Sequence, residues 1–108
     1  MKKLTATQLD KYDINQKIIK TLADLESRTI LFSIKQKAKL AEEISSENKI
    51  PMSTVYKKLE RLENLALVKV DRIELSEYGH RIKYYKSRIS EVEISIKKLE
   101  PKLTLYRN

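Results

Sequence analysis

Apolar residues recur at helical spacing along the first part of the chain, between segments rich in polar and charged side chains. In the first such segment the intervals are four, four and three residues, which place the apolar side chains on one face of a helix. This stripe consists of Ile14, Ile18, Leu22 and Leu25. The pattern predicts an amphipathic helix over residues 13–25, with Asp13 as its N-cap.

Two further helices are predicted from the apolar residues that follow. The run 27–36 is expected to form the first helix of the core domain, and a shorter helix is expected close after it. Their apolar residues are Ile30, Leu31 and Ile34 in the first and Leu40, Ala41 and Ile44 in the second. Residues 45–49 are all polar or charged and are predicted to form a connector.

Residues 52–65 are predicted to form a helix with one apolar and one mainly cationic face. Val55, Leu59 and Leu62 are spaced by four and three residues and form the face that must be buried. Pro51 suits the start of a helix because its φ is already near the helical value. The opposite face carries Ser53, Lys57, Glu60, Arg61 and Asn64, with Thr54, Tyr56 and Lys58 on its flanks.

These residues carry a family resemblance. Residues 50–62 have the pattern Ile-Pro-x-Ser-Thr-Val-Tyr-x-x-Leu-x-x-Leu, and Leu-x-Leu-Val and a charged hairpin follow. The segment resembles the winged helix-turn-helix of prokaryotic transcription regulators of the ArsR, PadR and MarR type, especially archaeal ones, over roughly residues 25–90. In those families the second helix of the motif enters the major groove of DNA, and the hairpin after it, the wing, lies along the phosphate backbone. The resemblance implies that Ser53, Thr54, Tyr56, Lys57 and Arg61 face DNA.

Two features depart from that family pattern. These families usually have glycine just before the Leu-Val that begins the wing, where it ends the helix in a left-handed conformation, and this chain has Ala66 there. Asn64 is the candidate for the left-handed position, since asparagine tolerates it better than most residues. The wing itself is predicted to be a short hairpin over residues 68–75, with almost no loop.

The last third of the chain has a second periodic pattern. From residue 82 to residue 103, apolar side chains alternate spacings of three and four. The pattern predicts a helix over about residues 77–100, roughly 36 Å long, that starts after Ser76 and ends before Pro101. Its heptad residues are Ile82, Tyr85, Ile89, Val92, Ile96, Leu99 and Leu103.

Such a narrow stripe favours a homodimer held together by a coiled coil, which would present two recognition helices to an inverted-repeat DNA site. The alternative is that the stripe folds back onto the N-terminal helix of its own chain. Both arrangements are compatible, because Ile94 lies off the stripe and could dock against Ile18 or Leu22.

Composition agrees with a nucleic-acid partner. Lys and Arg outnumber Asp and Glu by 23 to 15, which gives a formal charge of +8 and favours polyanions. The absence of cysteine excludes disulfides and thiolate metal sites, and His80, the only histidine, has no set of neighbouring ligands. No apolar run is long enough to span a membrane, and no basic start is followed by an apolar segment. We therefore expect no membrane span or signal peptide, and a cytoplasmic, nucleoid-associated location.

A chain of 108 residues with one glycine and two prolines predicts one small, mainly α domain, and the family resemblance implies a β-hairpin wing. The predicted parts are an N-terminal arm and helix over residues 1–25, a winged helix-turn-helix over 26–76, and a dimerisation helix and tail over 77–108. The sequence has no phosphate-binding glycine loop, nucleophile elbow or metal-ligand cluster. We therefore expect neither catalysis nor a cofactor, and no segment predicts a small-molecule effector site.

The predicted function is sequence-specific binding of duplex DNA by a dimeric transcription regulator. Ser53, Thr54, Lys57 and Arg61 would read base edges, with Arg61 placed to make a bidentate contact with guanine. Phosphate contacts would come from Lys57, Lys58, Lys69 and Arg72. A further group of cations would contact the phosphate backbone of DNA or form a solvated face. It consists of Arg81, Lys83, Lys86 and Arg88.

Two other functions fit the same sequence. One is a winged-helix module that binds a protein of the transcription or replication machinery, because this fold serves both purposes. The other is an architectural protein that binds DNA with a steep salt dependence and no sequence preference.

Overall fold

The computed structural model describes the backbone of residues 6–108 and the side chains of residues 14–108. Residues 1–5, which are part of the predicted N-terminal arm, lie outside the described residues. Within the described range, four helices are followed by two antiparallel hairpins. The elements are α1 (Ala6–Ala23), α2 (Leu25–Ser33), α3 (Ala41–Asn48), α4 (Met52–Asn64), β1 (Val68–Leu75), β2 (Arg81–Ser87), β3 (Ile89–Ser95) and β4 (Lys102–Arg107).

The N-terminal helix is longer than the sequence pattern predicts. Helix α1 already includes Ala6, so Asp13 lies inside it and the predicted N-cap is wrong. The capping aspartate is Asp24, at the start of α2, whose carboxylate accepts hydrogen bonds from the backbone N–H of Ser27 at 3.1 Å and from its hydroxyl at 2.7 Å. None of the described helices is long and apolar enough to cross a membrane.

One apolar core joins the four helices to the bases of the hairpins. The stripe of α4 lies at its centre, since Val55, Leu59 and Leu62 are at most 1% exposed, and this predicted buried face is confirmed. Each such side chain contributes about 1.5–3 kcal/mol when fully buried. The other helices contribute Ile18, Leu22, Ile30, Leu31, Ala41 and Ile44.

The turn between α3 and α4 has three residues, 49–51. Residues 45–48 belong to α3, so the longer polar connector predicted over 45–49 is wrong. Their polarity reflects the exposed side of a short amphipathic helix. Lys49 is left-handed at φ 54°, and the backbone N–H of Ile50 donates to the carbonyl of Ser45, which closes the last turn of α3.

Helix α4 ends in a Schellman motif. The backbone N–H of Leu67 donates to the carbonyl of Leu62, and that of Ala66 donates to the carbonyl of Glu63, both at 2.9 Å. Ala66 itself takes the left-handed conformation, with φ 59°, and the expectation that Asn64 would do so is wrong because Asn64 is the last helical residue. The motif turns the chain directly into β1.

The wing is much longer than predicted. Strand β1 occupies residues 68–75, where a complete hairpin was predicted. It pairs with β2 from Val68↔Ser87 to Leu75↔Arg81, with a register shift between Val70 and Arg72. The turn follows at residues 76–80, where Gly79 has φ 77°. Lys39 pairs with Tyr85 through two backbone hydrogen bonds, of 3.0 and 2.8 Å, and fixes the other edge of β2 to the segment before α3. The predicted domain boundary at residue 76 falls in the turn of this wing.

The predicted C-terminal helix and its coiled coil are wrong, because residues 81–95 form strands β2 and β3 and the chain returns in β4. The heptad residues are mostly β-branched or aromatic, types that favour strands. Ile82 and Tyr85 are three residues apart and so point to opposite faces of β2. Ile89 is buried in the core, and Leu99 lies in the turn between β3 and β4.

We expect the substitution Ala66→Gly to stabilise the protein by about 0.5–1 kcal/mol. A non-glycine residue in the left-handed conformation costs roughly 1–2 kcal/mol, and the greater freedom of glycine in the unfolded chain offsets part of that gain. The measurement is the free energy of unfolding in urea. The matched control is Glu60→Gly, within the right-handed part of α4, which should lose about 1 kcal/mol. Equal destabilisation by both substitutions would contradict the assignment of strain to Ala66.

Candidate nucleic-acid interface

The exposed face of α4 is held in place by its buried face. Ser53, Lys57 and Arg61 are exposed, and Thr54 is half-buried, on the side away from the core stripe. Tyr56 is 51% exposed on the flank of α4 that faces the wing. A polar, cationic surface about three helical turns long is therefore presented to solvent on a rigid element.

Lys58 is bound to the protein itself. Its Nζ lies 2.8 Å from the carboxylate of Asp24, so it ties α4 to the N-terminus of α2. The hydrogen bond from Lys58, and then the one from the Ser27 hydroxyl, lower the pKa of Asp24 to about 2. The sequence suggested Lys58 as a phosphate contact, but its charge is already compensated by a carboxylate.

A groove separates α4 from the wing. It has a volume of about 370 Å³, and Tyr56 of α4 lines it opposite Arg81, Lys83 and Tyr85 of β2. Tyr85 and Ser87 face the helices, so alternation along β2 defines an inner face that also carries Arg81 and Lys83. The groove thus has cationic groups along the wing and a tyrosine hydroxyl on α4, and the start of α3 adds one acidic side chain, Glu42.

Tyr85 forms part of the wall of this groove and is packed against the core. Burial raises the pKa of its hydroxyl, and the nearby Glu63 raises it further. Tyr85 therefore stays neutral at physiological pH, and its ring joins the wing to α4. This position favours packing over base stacking.

Arg72 lies on the outer face of the wing, away from the groove. Its guanidinium stacks 3.8 Å from the centre of the Tyr84 ring, and its Nε donates to the Glu74 carboxylate at 3.1 Å. The hydrogen bond to Glu74 raises the pKa of Arg72. Tyr84 also donates to Glu74, so the three side chains form one closed group. The phosphate contact of Arg72 stays a prediction, and in the structure this group holds its guanidinium on the wing.

Lys69 also points to the outer face, because its pairing partner is Lys86. Ser53, Thr54, Lys57 and Arg61 therefore lie on the sides of α4 that do not face the core, whereas Lys58, Lys69 and Arg72 have other surroundings. Arg81 and Lys83, whose role the sequence left open, share the groove with Tyr56. The strand alternation of residues 81–87 is the signal that could have placed them.

His80 lies in the exposed turn of the wing, where its backbone N–H donates to the hydroxyl of Ser76 at 3.0 Å. Among residues 14–108, no group of three or more histidine or acidic side chains is arranged to hold a metal ion.

Comparison with solved structures identifies the fold. NolR from Sinorhizobium fredii superimposes on 81% of this chain and 81% of its own, with a TM-score of 0.64 and 18% identity. The homodimeric winged helix-turn-helix DNA-binding domain of Mb0332 from Mycobacterium bovis, a possible ArsR-family transcriptional regulator, covers 81% of this chain and 75% of its own, with a TM-score of 0.63 and 24% identity. This chain has a winged helix-turn-helix fold.

At these identities the similarity shows the fold alone. The predicted winged helix-turn-helix is confirmed, except for its C-terminal helix. No protein-family model matches the sequence, and no curated protein matches it significantly.

The ion pair between Asp24 and Lys58 should make the stability of the winged helix depend on pH. Because folding lowers the pKa of Asp24 from 3.8 to about 2, its carboxylate stabilises the folded state above pH 3.8. This stabilisation is lost as the pH falls through about 2. We expect wild type to lose about 1 kcal/mol more than Asp24→Asn between pH 5 and pH 2, since partial exposure of the pair screens it. The measurement is urea unfolding at both pH values.

The control for this prediction is Glu26→Gln, an exposed carboxylate in the same helix that forms none of the ion pairs among residues 14–108. It should keep the wild-type pH dependence. If Asp24→Asn also keeps it, the stabilising role of the pair is wrong.

Proposed function

We propose that this protein is a homodimeric transcription regulator that binds duplex DNA at specific sequences. The observation that supports this most is the exposed face of α4, which carries Lys57 and Arg61. On the flank of the same helix, Tyr56 faces Arg81 and Lys83 of the wing across a groove. A helix of this width fits the major groove, and cations along the wing fit the adjoining phosphates. Such a regulator would act in the cytoplasm, on the nucleoid.

The proposed roles follow from position. Ser53, Thr54, Lys57 and Arg61 read base edges, and Arg61 makes the bidentate contact with guanine. Arg81 and Lys83 contact the phosphate backbone, where they supply affinity that falls with salt. Tyr56 lies between the two groups and contacts either a phosphate or a thymine methyl group.

Selection from random duplexes should yield a preferred sequence, and Arg61→Ala should weaken binding to it by about 5- to 150-fold, the equivalent of about 1–3 kcal/mol. Binding to unrelated duplex should fall much less, because phosphate contacts dominate there. The measurement is duplex affinity at two salt concentrations. The matched control is Lys98→Ala, which removes one cation from the turn after β3 and should leave the preference intact.

Two outcomes would replace this proposal by a rival. Tight, strongly salt-dependent binding with no selected sequence would indicate an architectural DNA-binding protein. The absence of duplex binding at low salt would indicate a module that binds another protein.

The proposed dimer surface is the apolar face of the β3–β4 hairpin. Register places Val92, Ile94, Leu103 and Leu105 on one face, and Ile94 and Leu105 remain 43% and 39% exposed. A groove of about 340 Å³ separates Ile94 and Val92 from Leu22 and Phe32. A two-stranded hairpin is at best marginally stable without a covering surface. Two of the predicted dimerisation residues, Val92 and Leu103, belong to this face.

A second copy of the chain is the proposed partner of this face. Face-to-face contact across a two-fold axis would cover Ile94 and Leu105, which the chain by itself leaves 43% and 39% exposed. The homodimeric state of the Mb0332 domain also favours a dimer.

Ile94→Lys should convert the dimer to a monomer at micromolar concentration, since it puts a charge into the centre of the apolar face. Its control is Ser95→Lys, the next residue, which points to the opposite, polar face of the same strand. Sedimentation velocity measures both variants against wild type. A wild type that is already monomeric at this concentration, or equal dissociation of the two variants, would show that this face does not form the dimer.

A further inference from the structure

A second cationic site lies on the other side of the wing. We call it the basic cleft: a space of about 500 Å³ between the outer face of the wing and the base of the β3–β4 hairpin. Four cationic side chains line it, together with one acidic side chain, Asp71. The cations are Lys69, Lys86, Arg88 and Arg107.

The cleft concentrates charge that the protein itself leaves largely uncompensated. Lys69 and Lys86 are direct cross-strand partners, an arrangement that destabilises a sheet when both carry the same charge. Lys86 donates to the carbonyl of Gln36 at 2.8 Å, which does not neutralise it. Within residues 14–108, no ion pair involves any of the four cations, and Asp71 lies 3.8 Å from Arg72. A local conflict of this kind is expected where a ligand supplies the missing charge.

The backbone around the cleft is firmly held. The N–H of Arg88 donates to the carbonyl of Leu67 at 2.8 Å, and the carbonyl of Arg88 accepts from the N–H of Asn108 at 3.0 Å. The side-chain amide of Asn108 donates to the carbonyls of Ser87 and Lys35. These bonds fix the base of the β3–β4 hairpin against the wing, so the cations meet a ligand on a preorganised frame.

The cleft is separate from the proposed DNA groove. Lys69 and Lys86 point to the outer face of the β1–β2 sheet, whereas Arg81 and Lys83 point to the inner face beside α4. A duplex held by α4 and the inner face of the wing therefore leaves the charges of the cleft unmatched.

We propose that the basic cleft binds a small molecule that carries two or more phosphate groups. Its volume lies in the range of ordinary ligand pockets, about 300–1,000 Å³. Two guanidinium groups offer the fork that binds phosphate oxygens in pairs, and two ammonium groups add point charges. The site does not depend on the proposed regulation of transcription, so either idea can fail without the other.

Inorganic pyrophosphate is the probe for this site. Titration into the ¹⁵N-labelled full chain at constant ionic strength should give saturable amide shifts at Lys69, Ser87, Arg88 and Asn108. Shifts that concentrate on α4 instead, or that rise linearly without saturation, would overturn the proposal. This measurement uses wild type, so it locates the site even if a variant fails to fold.

A pair of double variants tests the side chains. Arg88→Gln with Arg107→Gln should weaken pyrophosphate binding at least about tenfold, because both bidentate groups are lost. Lys97→Gln with Lys98→Gln removes the same charge from the turn after β3 and should change the affinity less than about twofold. Equal weakening by both pairs would mean that only net charge matters, which contradicts a defined site.

Duplex DNA is the remaining alternative occupant of the cleft. The Arg88 and Arg107 double variant should bind duplex with nearly the wild-type affinity. A loss as large as that of Arg61→Ala would make the cleft part of the DNA interface and overturn the proposal of a small ligand.

Discussion

The structure depends on the burial of one helical stripe. Val55, Leu59 and Leu62 of α4 pack into the core where the other helices meet the wing, and none is more than 1% exposed. Burial of these three side chains sets the rotation of α4 about its own axis. The same rotation decides that Lys57 and Arg61 face solvent. The proposed reading face is thus a consequence of the core, since a helix that buries one side must present the other.

Backbone geometry at the two ends of α4 then decides what lies beside it. Lys49 and Ala66 are both left-handed, although neither is glycine, and tertiary packing sustains this cost. The first sets the angle between α3 and α4, and the second turns the chain into the wing. The ion pair between Asp24 and Lys58 adds a third attachment, to α2. Together they position the cations of β2 across a narrow groove from Tyr56.

Sequence periodicity predicted the helices well and the C-terminal third poorly. The difference is whether the apolar spacing fits one type of secondary structure or two. In α4 the apolar stripe fits only the spacing of a helix, and the polar residues on the opposite face identify which side is buried. In residues 82–103 the apolar residues satisfy a spacing of three and four, but Val92, Ile94 and Ile96 also alternate with a period of two. The β-branched side chains favour the second reading, and pairing of β3 with β4 makes it the stable one.

The sequence by itself determined which side of α4 is buried, which side is free, and that the chain is cationic, because these properties depend on neighbours within a few turns. Only the tertiary structure decided which cations share a surface. Lys58 is bound to a carboxylate 34 positions before it, and Lys69 lies opposite Lys86 because of strand register. Such partners are distant in sequence, and a register shift of one residue would move every side chain to the other face. The division of the wing into a groove side and a cleft side is therefore a property of the folded sheet.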